Sequence, residues 1–279
     1  KRLKVGSALI ALALVIWGGS SLYNHYANTS KNVAEPKQTI TIAGKMGSEP
    51  AILINMYKDL IEKNDPNTKV VLKPNFGGTT FLFKALQTDK IDIYPEFTGT
   101  VLQTLVKTGK KTGNDPNQVY VEARSDLKKQ FDMEYLKPMA YQNGYALATT
   151  QKFAKDNHLT KMSDLNRVNK KEHAAFDPDF TSLKDGYPGL KKIYKLDFAS
   201  IKSTESSIRY HAIANNQANV VDGYTTDAEI KKYNLVMLDD DKKFFPPYQG
   251  APLMRAKFAE RNPQIVKALN KLAGKITTE

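Results

Sequence analysis

Aromatic side chains stand at predicted turns and strand ends, where a fold has least need of them for packing. The set comprises Phe97 after Tyr94-Pro95-Glu96, Tyr145 at a strand start, Phe180 after Asp177-Pro178-Asp179, Tyr224 at a strand end and Tyr248 after Pro246-Pro247. Aromatic faces that converge on one point bind a quaternary ammonium group, because its diffuse charge can neither donate nor accept a hydrogen bond. Core packing is the better explanation for any single ring, but the whole set predicts a site for an organic cation.

The motifs of common catalytic sites are absent from the sequence. It contains no GxSxG nucleophile elbow, no GxxxxGK[ST] phosphate loop and no HExxH zinc motif. Its four histidines lack the spacing of metal ligands, and Asp239-Asp240-Asp241 is typical of a solvated loop rather than of a cation site. We therefore predict a binding protein without metal or cofactor, and keep an enzyme that works in a cleft as an alternative.

The amino-acid composition excludes further classes of function. The 279 residues carry a formal net charge of +12 and include no cysteine. Without cysteine there are no disulfides, no thiol chemistry and no N-terminal cysteine for lipid attachment. The positive charge would suit nucleic acid, an anionic membrane or simply a basic surface. Because basic pairs such as Lys191-Lys192 and Lys231-Lys232 are scattered, we expect no nucleic-acid partner, and a basic nucleic-acid-binding protein stays the second alternative.

The N-terminal segment predicts contact with a membrane. Residues 5–23 (VGSALIALALVIWGGSSLY) carry no charge and follow the basic Lys1-Arg2-Leu3-Lys4. Such a run is just long enough for a helix to cross a bilayer, and the basic flank predicts a cytoplasmic start. A cleaved signal peptide is the alternative. We expect residues 1–23 to be a transmembrane helix, alone or as the last helix of a membrane domain, residues 24–38 to be a linker, and the remainder to lie on the extracytoplasmic side of the cell membrane.

From Thr39 onward predicted strands alternate with helices, and the alternation restarts at Tyr145. This pattern predicts an α/β fold with mostly parallel sheets in two lobes, one of residues 39–142 plus 249–279 and one of residues 143–248. Extended crossings near residues 141–145 and 245–252 would join the lobes. Because ligands of open α/β sheets bind outside the carboxyl ends of the strands, we expect a site in the cleft of a two-lobed clamshell.

Four segments of the sequence resemble a known family. Residues 91–100 (IDIYPEFTGT) are similar to the D-I-Y-P-E-Y-T-G-T signature of the substrate-binding proteins of osmoprotectant ABC importers. Residues 144–148 (GYALA), 185–190 (DGYPGL) and 244–248 (FFPPY) resemble further motifs in the family's order. That family carries glycine betaine, choline, carnitine and related trimethylammonium compounds. The resemblance implies a periplasmic-binding-protein-like fold of type II with two hinge crossings, and capture of a ligand for delivery to a permease and its ATPase, without chemistry. In some members the binding protein is fused behind the last permease helix, which residues 1–23 resemble.

The resemblance also implies which residues bind. It assigns the aromatic cage to Phe97, Phe180 and Tyr224, with Tyr145 and Tyr248 as further candidates near the crossings, and polar contacts to the hydroxyls of Ser48 and Thr98. Two features depart from relatives: Phe97 stands where many have Tyr, and the first turn reads KMGSEP (residues 45–50) rather than roughly K-N-F-T-E-Q. These departures favour a betaine that is larger or less polar than glycine betaine, and ergothioneine is the specific expectation.

Arg209 stands where relatives of this kind have an apolar residue. If Arg209 faces the cleft, its planar fork favours a ligand that bears a carboxylate over choline. If it faces solvent, it is one basic surface residue among many. The sequence leaves both positions open.

Overall fold

The computed structural model describes residues 38–109 and 112–278. The strands are β1 (Gln38–Ala43), β2 (Thr68–Lys73), β3 (Ile93–Phe97), β4 (Met133–Tyr135), β5 (Tyr145–Thr150), β6 (His173–Phe176), β7 (Ser200–Ser203), β8 (Val220–Tyr224), β9 (Leu235–Leu238) and β10 (Gly250–Arg255). The α-helices are α1 (Ser48–Asn64), α2 (Thr79–Gln87), α3 (Thr98–Thr100), α4 (Pro116–Phe131), α5 (Gln151–Asp156), α6 (Pro178–Ser182), α7 (Tyr187–Tyr194), α8 (Ser206–Ala214), α9 (Ala228–Lys232), α10 (Ala256–Arg261) and α11 (Pro263–Leu269). A π-helical turn (Val101–Leu105) continues α3, and 3-10 turns cover Met162–Arg167, Asn169–Lys171 and Asn270–Leu272.

The membrane prediction falls on residues that the structure does not describe. Residues 1–37, which include the predicted transmembrane helix and nearly all of the predicted linker, lie outside the described ranges. Among the described helices, none has the length and apolar character that spanning a bilayer requires.

In the described part of the chain the strands form two sheets. Sheet A has the order β2-β1-β3-β10-β4, and sheet B the order β7-β6-β8-β5-β9. β1 runs parallel to β3, and β6 runs parallel to β7 and β8. In contrast, β10 is antiparallel to β3 and β4, and β5 is antiparallel to β8 and β9. The predicted two-sheet α/β fold is therefore confirmed, but the sheets are mixed rather than mostly parallel.

The antiparallel strands are the ones that follow the crossings. The chain leaves sheet A after β4 and enters sheet B with β5, then leaves sheet B after β9 and returns with β10. Strand–helix alternation predicts parallel neighbours within one sheet, but it says nothing of a strand that arrives from another sheet. The two crossing segments are joined by an antiparallel bridge between Gln142 and Gln249.

Helices cover the sheets because their apolar residues recur on one face. In α1 the buried residues Ile54, Tyr57 and Ile61 follow the spacing of one helical stripe. They belong to the same core cluster as Ile42 of β1 and Ile93 of β3, which are paired in the parallel register. This packing fixes the start of α1 beside the end of β1, where the site lies.

Sequence patterns typical of helix starts occur at α4 and at α1, and the structure agrees with the first but not with the second. At α4 the residues Asp115-Pro116-Asn117-Gln118 predict a cap at Asp115, and the structure confirms it: the Asp115 side chain accepts from the backbone N–H of Gln118, and Pro116 takes the first helical position. At α1 the residues Ser48-Glu49-Pro50 predict a helix with Ser48 as its cap, but this prediction is wrong, because Gly47 occupies the cap position with a φ of 114°. At this φ a residue with a Cβ is strained. Ser48 instead begins the helix, and its hydroxyl makes no capping bond.

Candidate functional site

A pocket lies between the two sheets, at the end of the fold where β3 and β8 finish and β5 begins. It is lined by Lys45, Met46, Gly47, Ser48, Glu49, Pro50, Phe97 and Thr100 from the sheet-A side, by Tyr145, Ser206, Tyr224 and Asp227 from the sheet-B side, and by Asn143 and Tyr248 from the crossings. Of the residues predicted to bind, five line this pocket: Ser48, Phe97, Tyr145, Tyr224 and Tyr248.

Tyr145 lies at the centre of the aromatic wall. Its ring centroid is 5.2 Å from that of Tyr224 and 5.6 Å from that of Tyr248. The first of these contacts follows from the sheet register, because β5 and β8 are antiparallel and place Tyr145 directly opposite Tyr224. A strand start and a strand end thus present two rings at the same edge of sheet B.

Phe97 brings a ring from the other side. It ends β3, where Gly250 of β10 is its partner in the register. A Cβ at Gly250 would lie 3.3 Å from the Phe97 ring, so a residue without a side chain lets this ring pack closely on β10. The Lys45 ammonium lies 5.4 Å from the centroid of the same ring.

Two predicted residues lie next to the pocket without lining it. Phe180 is fully buried behind Tyr145, with ring centroids 5.1 Å apart, so it supports the aromatic wall from behind. The Thr98 hydroxyl donates to the carbonyl of Pro247 at 3.1 Å and accepts from the N–H of Gln249 at 3.0 Å. Because both bonds tie the start of α3 to the returning crossing, this hydroxyl is already engaged within the protein.

Both positions predicted for Arg209 are wrong. Its side chain faces neither the pocket nor solvent but is 0% exposed on the inner face of α8. The guanidinium is held by carboxylates instead, with Nη2 2.9 Å from Asp227 Oδ2 and Nη1 3.2 Å from Asp222 Oδ2. Burial of an arginine requires such pairing, because an unpaired charge in a low-dielectric interior is very costly. Arg209 therefore gives no reason to expect a ligand that bears a carboxylate.

Glu49 is a site residue that the sequence reasoning missed, as it missed Lys45, Asn143 and Asp227. Its carboxylate lines the pocket and accepts from the Tyr141 hydroxyl at 2.8 Å, from the Asn143 amide at 2.9 Å and from the Thr226 hydroxyl. Burial raises the pKa of Glu49, and the hydrogen bonds from Thr226, Tyr141 and Asn143 oppose that rise. An acid in the first turn of α1, immediately after Ser48, was a sequence signal that could have identified it.

Lys45 does not neutralise Glu49, because it is engaged elsewhere. Its ammonium lies 2.6 Å from Glu96 Oε1 and donates to the Thr79 hydroxyl at 2.7 Å. Glu96 itself is fully buried. In the described pocket wall, Lys45 is thus paired with Glu96 and Asp227 with Arg209, which leaves the Glu49 carboxylate without a cationic partner. Aromatic rings with an uncompensated carboxylate form an environment that suits an organic cation.

Comparison with known proteins places the chain in a family. A family model described as the substrate binding domain of ABC-type glycine betaine transport system matches residues 38–279. The chain is 32% identical over 272 residues to the carnitine transport binding protein OpuCC of Listeria monocytogenes serotype 1/2a (strain 10403S), covering 97% of this chain and 87% of that protein. It is 30% identical over 252 residues to the ergothioneine transport permease/ergothioneine binding protein EgtU of Helicobacter pylori (strain G27), covering 89% of this chain and 44% of that protein.

A solved structure described as a glycine betaine/carnitine/choline ABC transporter shares the fold. It is 31% identical in sequence, superposes with a TM-score of 0.64, and the match covers 86% of this chain and 88% of that chain. The two-sheet fold is accordingly periplasmic-binding-protein-like. The family consists of substrate-binding domains rather than enzymes, which confirms the prediction of a binding protein without chemistry. The chain belongs to the family of substrate-binding domains of ABC-type glycine betaine transport systems.

Proposed function

We propose that this chain captures a trimethylammonium compound in the pocket between its two sheets and delivers it to the permease of an ABC importer. The observation that carries the proposal is the convergence of Tyr145, Tyr224, Tyr248 and Phe97 on one pocket that also holds the Glu49 carboxylate. Ring faces attract the diffuse positive charge, and desolvation inside the pocket strengthens that attraction.

The cage proposal assigns the residues different tasks. Tyr145, Tyr224 and Tyr248 form a wall in which each ring contacts another, so no ring has to be ordered when the ligand arrives. Phe97 closes the cage from the sheet-A side, and Phe180 supports Tyr145 from behind. Glu49 supplies the counter-charge.

The other end of the ligand would meet polar groups at the start of α1. The Ser48 hydroxyl and the first backbone N–H groups of this 17-residue helix lie at the pocket, and a helix N-terminus favours a negative group. A zwitterion would then bind these donors with its carboxylate and place its trimethylammonium group between the Glu49 carboxylate and the rings, even though Arg209 does not reach the pocket.

Within this class ergothioneine is our first candidate and carnitine the second. Both carry a carboxylate and a trimethylammonium group, and the 30% and 32% identical relatives are described as binding them. Glycine betaine and choline complete the set. Phe97 in place of the tyrosine of many relatives is consistent with a less polar ligand.

The organisation of the chain follows as part of the same proposal. We place the lobes at residues 39–142 plus 249–279 and at residues 143–248, with residues 24–38 as a linker and residues 1–23 as a membrane anchor. Substrate-binding domains of ABC importers act on the extracytoplasmic side and work with a permease and an ATPase. The match to less than half of a permease/binding protein supports fusion to, or close partnership with, a permease.

Isothermal calorimetry of the full chain with ergothioneine, carnitine, glycine betaine and choline tests the proposal. We expect saturable binding of at least one of them, and recovery of the ligand chemically unchanged. Lysine, a cation of similar size that donates hydrogen bonds, is the control and should not bind. If none of the four trimethylammonium compounds binds, the proposed function is wrong.

A further inference from the structure

A cluster of buried charges lies directly behind the pocket wall on the sheet-B side. Arg209 is surrounded by Asp177, Asp222 and Asp227, which we call the acidic triad. Nη1 lies 3.5 Å from Asp177 Oδ2 and 3.2 Å from Asp222 Oδ2, and Nη2 lies 2.9 Å from Asp227 Oδ2. The side chains of Arg209 and Asp222 are 0% exposed. One guanidinium faces three carboxylates, so the cluster carries an excess of acidic groups.

The cluster is connected to the pocket through three of its lining residues. The guanidinium carbon lies 5.2 Å from the centroid of the Tyr224 ring, and the buried Arg209 does not itself line the pocket. Asp227 accepts from the Tyr224 backbone N–H at 3.0 Å and itself lines the pocket. Asp177 accepts from the hydroxyl of Ser206, the third of these lining residues. The positions of Tyr224, Asp227 and Ser206 in this wall therefore depend on the cluster.

The geometry of the cluster does not favour a purely stabilising role. Arg209 Nε and Nη1 and Asp222 Oδ2 are buried and make no hydrogen bond, although Nη1 and Oδ2 lie within ion-pair distance. Unsatisfied buried polar groups cost free energy, and hydrophobic residues of similar volume often stabilise a core as well as a buried ion pair does. A role in the neighbouring pocket accounts for the cluster better than stability does.

An organic cation in the pocket would respond to the cluster's charge. A quaternary ammonium group has no hydrogen-bond donor, so the electrostatic field is the means by which a protein distinguishes it from a neutral group of the same shape. Charges act over longer distances in a desolvated interior than in water. Without Arg209, no cation would hold the three carboxylates together, so their mutual repulsion would move them apart and weaken the field behind Tyr224.

We propose that Arg209 is a positioning residue of the cation site: it holds the acidic triad behind Tyr224, and the triad's excess negative charge acts on the ligand's quaternary ammonium through that wall. This inference rests on the proposed function, because it requires a trimethylammonium ligand in the pocket. It adds a specificity determinant that does not touch the ligand.

The test compares a cation with its uncharged isostere. Choline and 3,3-dimethylbutan-1-ol form one pair, and glycine betaine and 3,3-dimethylbutanoate form a second, since a tert-butyl group replaces trimethylammonium in each. The comparison is made at pH 8, above the pKa of about 7 to which burial raises Asp222, so that this carboxylate is charged in the wild type. Asp222→Asn retains the acceptor for the Asp177 N–H but removes that charge. We expect it to weaken binding of the cationic member about fivefold, and to leave the dissociation constant of the isostere within about twofold of wild type.

Two further variants separate the effect of where the Arg209 side chain lies from the effect of its charge. Arg209→Gln should weaken binding of the cation about tenfold, and Arg209→Lys, which keeps the positive charge, should recover part of that loss. Asp197→Asn is the control, because Asp197 forms an exposed ion pair with Lys191 away from the pocket. Thermal unfolding of each variant verifies that it is folded. If Arg209→Gln does not fold, the result for Asp222→Asn alone tests the inference.

The outcomes distinguish this inference from the proposed function. If wild-type protein binds a trimethylammonium compound but Asp222→Asn binds it with an unchanged dissociation constant, the inference is wrong and the function stands. Equal weakening of cation and isostere would also overturn it, because that pattern indicates a structural role only. If the wild type binds no trimethylammonium compound, both are wrong.

Discussion

Thr79 donates both its backbone N–H and its hydroxyl to Asp179 Oδ2, each at 2.9 Å, and the two residues belong to opposite sides of the pocket. Thr79 begins α2 on the sheet-A side, where Gly78 at the cap position has no side chain to offer. Asp179 belongs to α6 on the sheet-B side and lies so close that a Cβ at Gly78 would be 2.3 Å from its Oδ1. A carboxylate of one side thus caps a helix of the other, and the helix has this cap only when the two sides are together.

Asp179→Ala is expected to weaken ligand binding by destabilising the closed form. Loss of a capping side chain costs about 1 kcal/mol, which corresponds to a roughly fivefold weaker dissociation constant if closure and binding are coupled. Small-angle scattering should show a larger radius of gyration for the ligand-free variant. Asp115→Ala removes a comparable cap within one side and should lower the melting temperature without changing the radius. An equal radius for Asp179→Ala and wild type would contradict the prediction.

Aromatic character at Tyr224 is expected to matter more than its hydroxyl. Tyr224→Phe keeps the ring face and should bind the trimethylammonium ligand within about threefold of wild type, whereas Tyr224→Leu should lose about tenfold or more. Calorimetry of both variants measures the difference. Both replacements are apolar and lack the hydroxyl, so the comparison between them tests the aromatic ring. Equal affinities would remove Tyr224 from the cage, and the same comparison at Phe97 with Leu tests the opposite wall.

Gly99→Ala is expected to displace the returning crossing. A Cβ at Gly99 would lie 2.7 Å from Cε1 of Tyr248 and 2.8 Å from the carbonyl oxygen of Pro247, and the second contact is backbone that cannot rotate away. We expect a lower melting temperature and several-fold weaker binding, because Tyr248 is part of the aromatic wall. Gly109→Ala is the matched control, since a Cβ there meets no atom of the described residues within 4 Å. Unchanged binding by Gly99→Ala would show that the wall tolerates this shift.

The charge of Glu49 should make ligand affinity depend on pH. Burial raises its pKa above the ordinary range of a glutamate, so acidification neutralises this counter-charge earlier than it neutralises exposed carboxylates. We expect the affinity for the cation to fall as the pH is lowered through that pKa. Glu49→Gln should bind more weakly at neutral pH, with a flatter profile, while the exposed Glu260→Gln should follow wild type. A Glu49→Gln profile that falls as steeply as that of wild type would assign the titration to another group.

Asp222 should make the protein less stable as the pH rises from about 4 to 7. Burial raises its pKa to about 7, because desolvation destabilises the charged form more than the neighbouring Arg209 stabilises it. An unfolded aspartate titrates near pH ~4, so between these values the folded state holds a proton that the unfolded chain has released. The free energy of unfolding therefore falls across this window and is level above it.

Melting temperatures at pH 5 and pH 8 test this assignment. Asp222→Asn cannot release a proton, so we expect its melting temperature to fall less between the two values than that of wild type. Asp197→Asn should behave as wild type, because the pKa of Asp197 is lowered by its hydrogen bond to Lys191 and it stays charged throughout. The same loss in Asp222→Asn and wild type would place the titration elsewhere.

Local sequence was sufficient for the features that depend on neighbours along the chain. Asp115, Pro116 and Gln118 lie within one helical turn, so the start of α4 was predictable from those residues alone. The alternation of strands and helices predicted two α/β sheets, and the rings at Phe97, Tyr145 and Tyr224 were found because motifs and strand ends mark them. The direction of β5 and β10 was not predictable, because it depends on how the chain crosses between sheets.

The sequence by itself determined the fold class, the family and most of the aromatic wall, since these follow from periodicity and contiguous motifs. Only the tertiary structure decided that Glu49 belongs to the site, that Arg209 is buried and that Asp179 caps α2. The Glu49–Thr226 and Thr79–Asp179 bonds join residues 177 and 100 positions apart. Whether a charged side chain contacts solvent, a ligand or another charge depends on which surfaces come together on folding. Local sequence does not determine those surfaces, because they are formed by residues far apart in the chain.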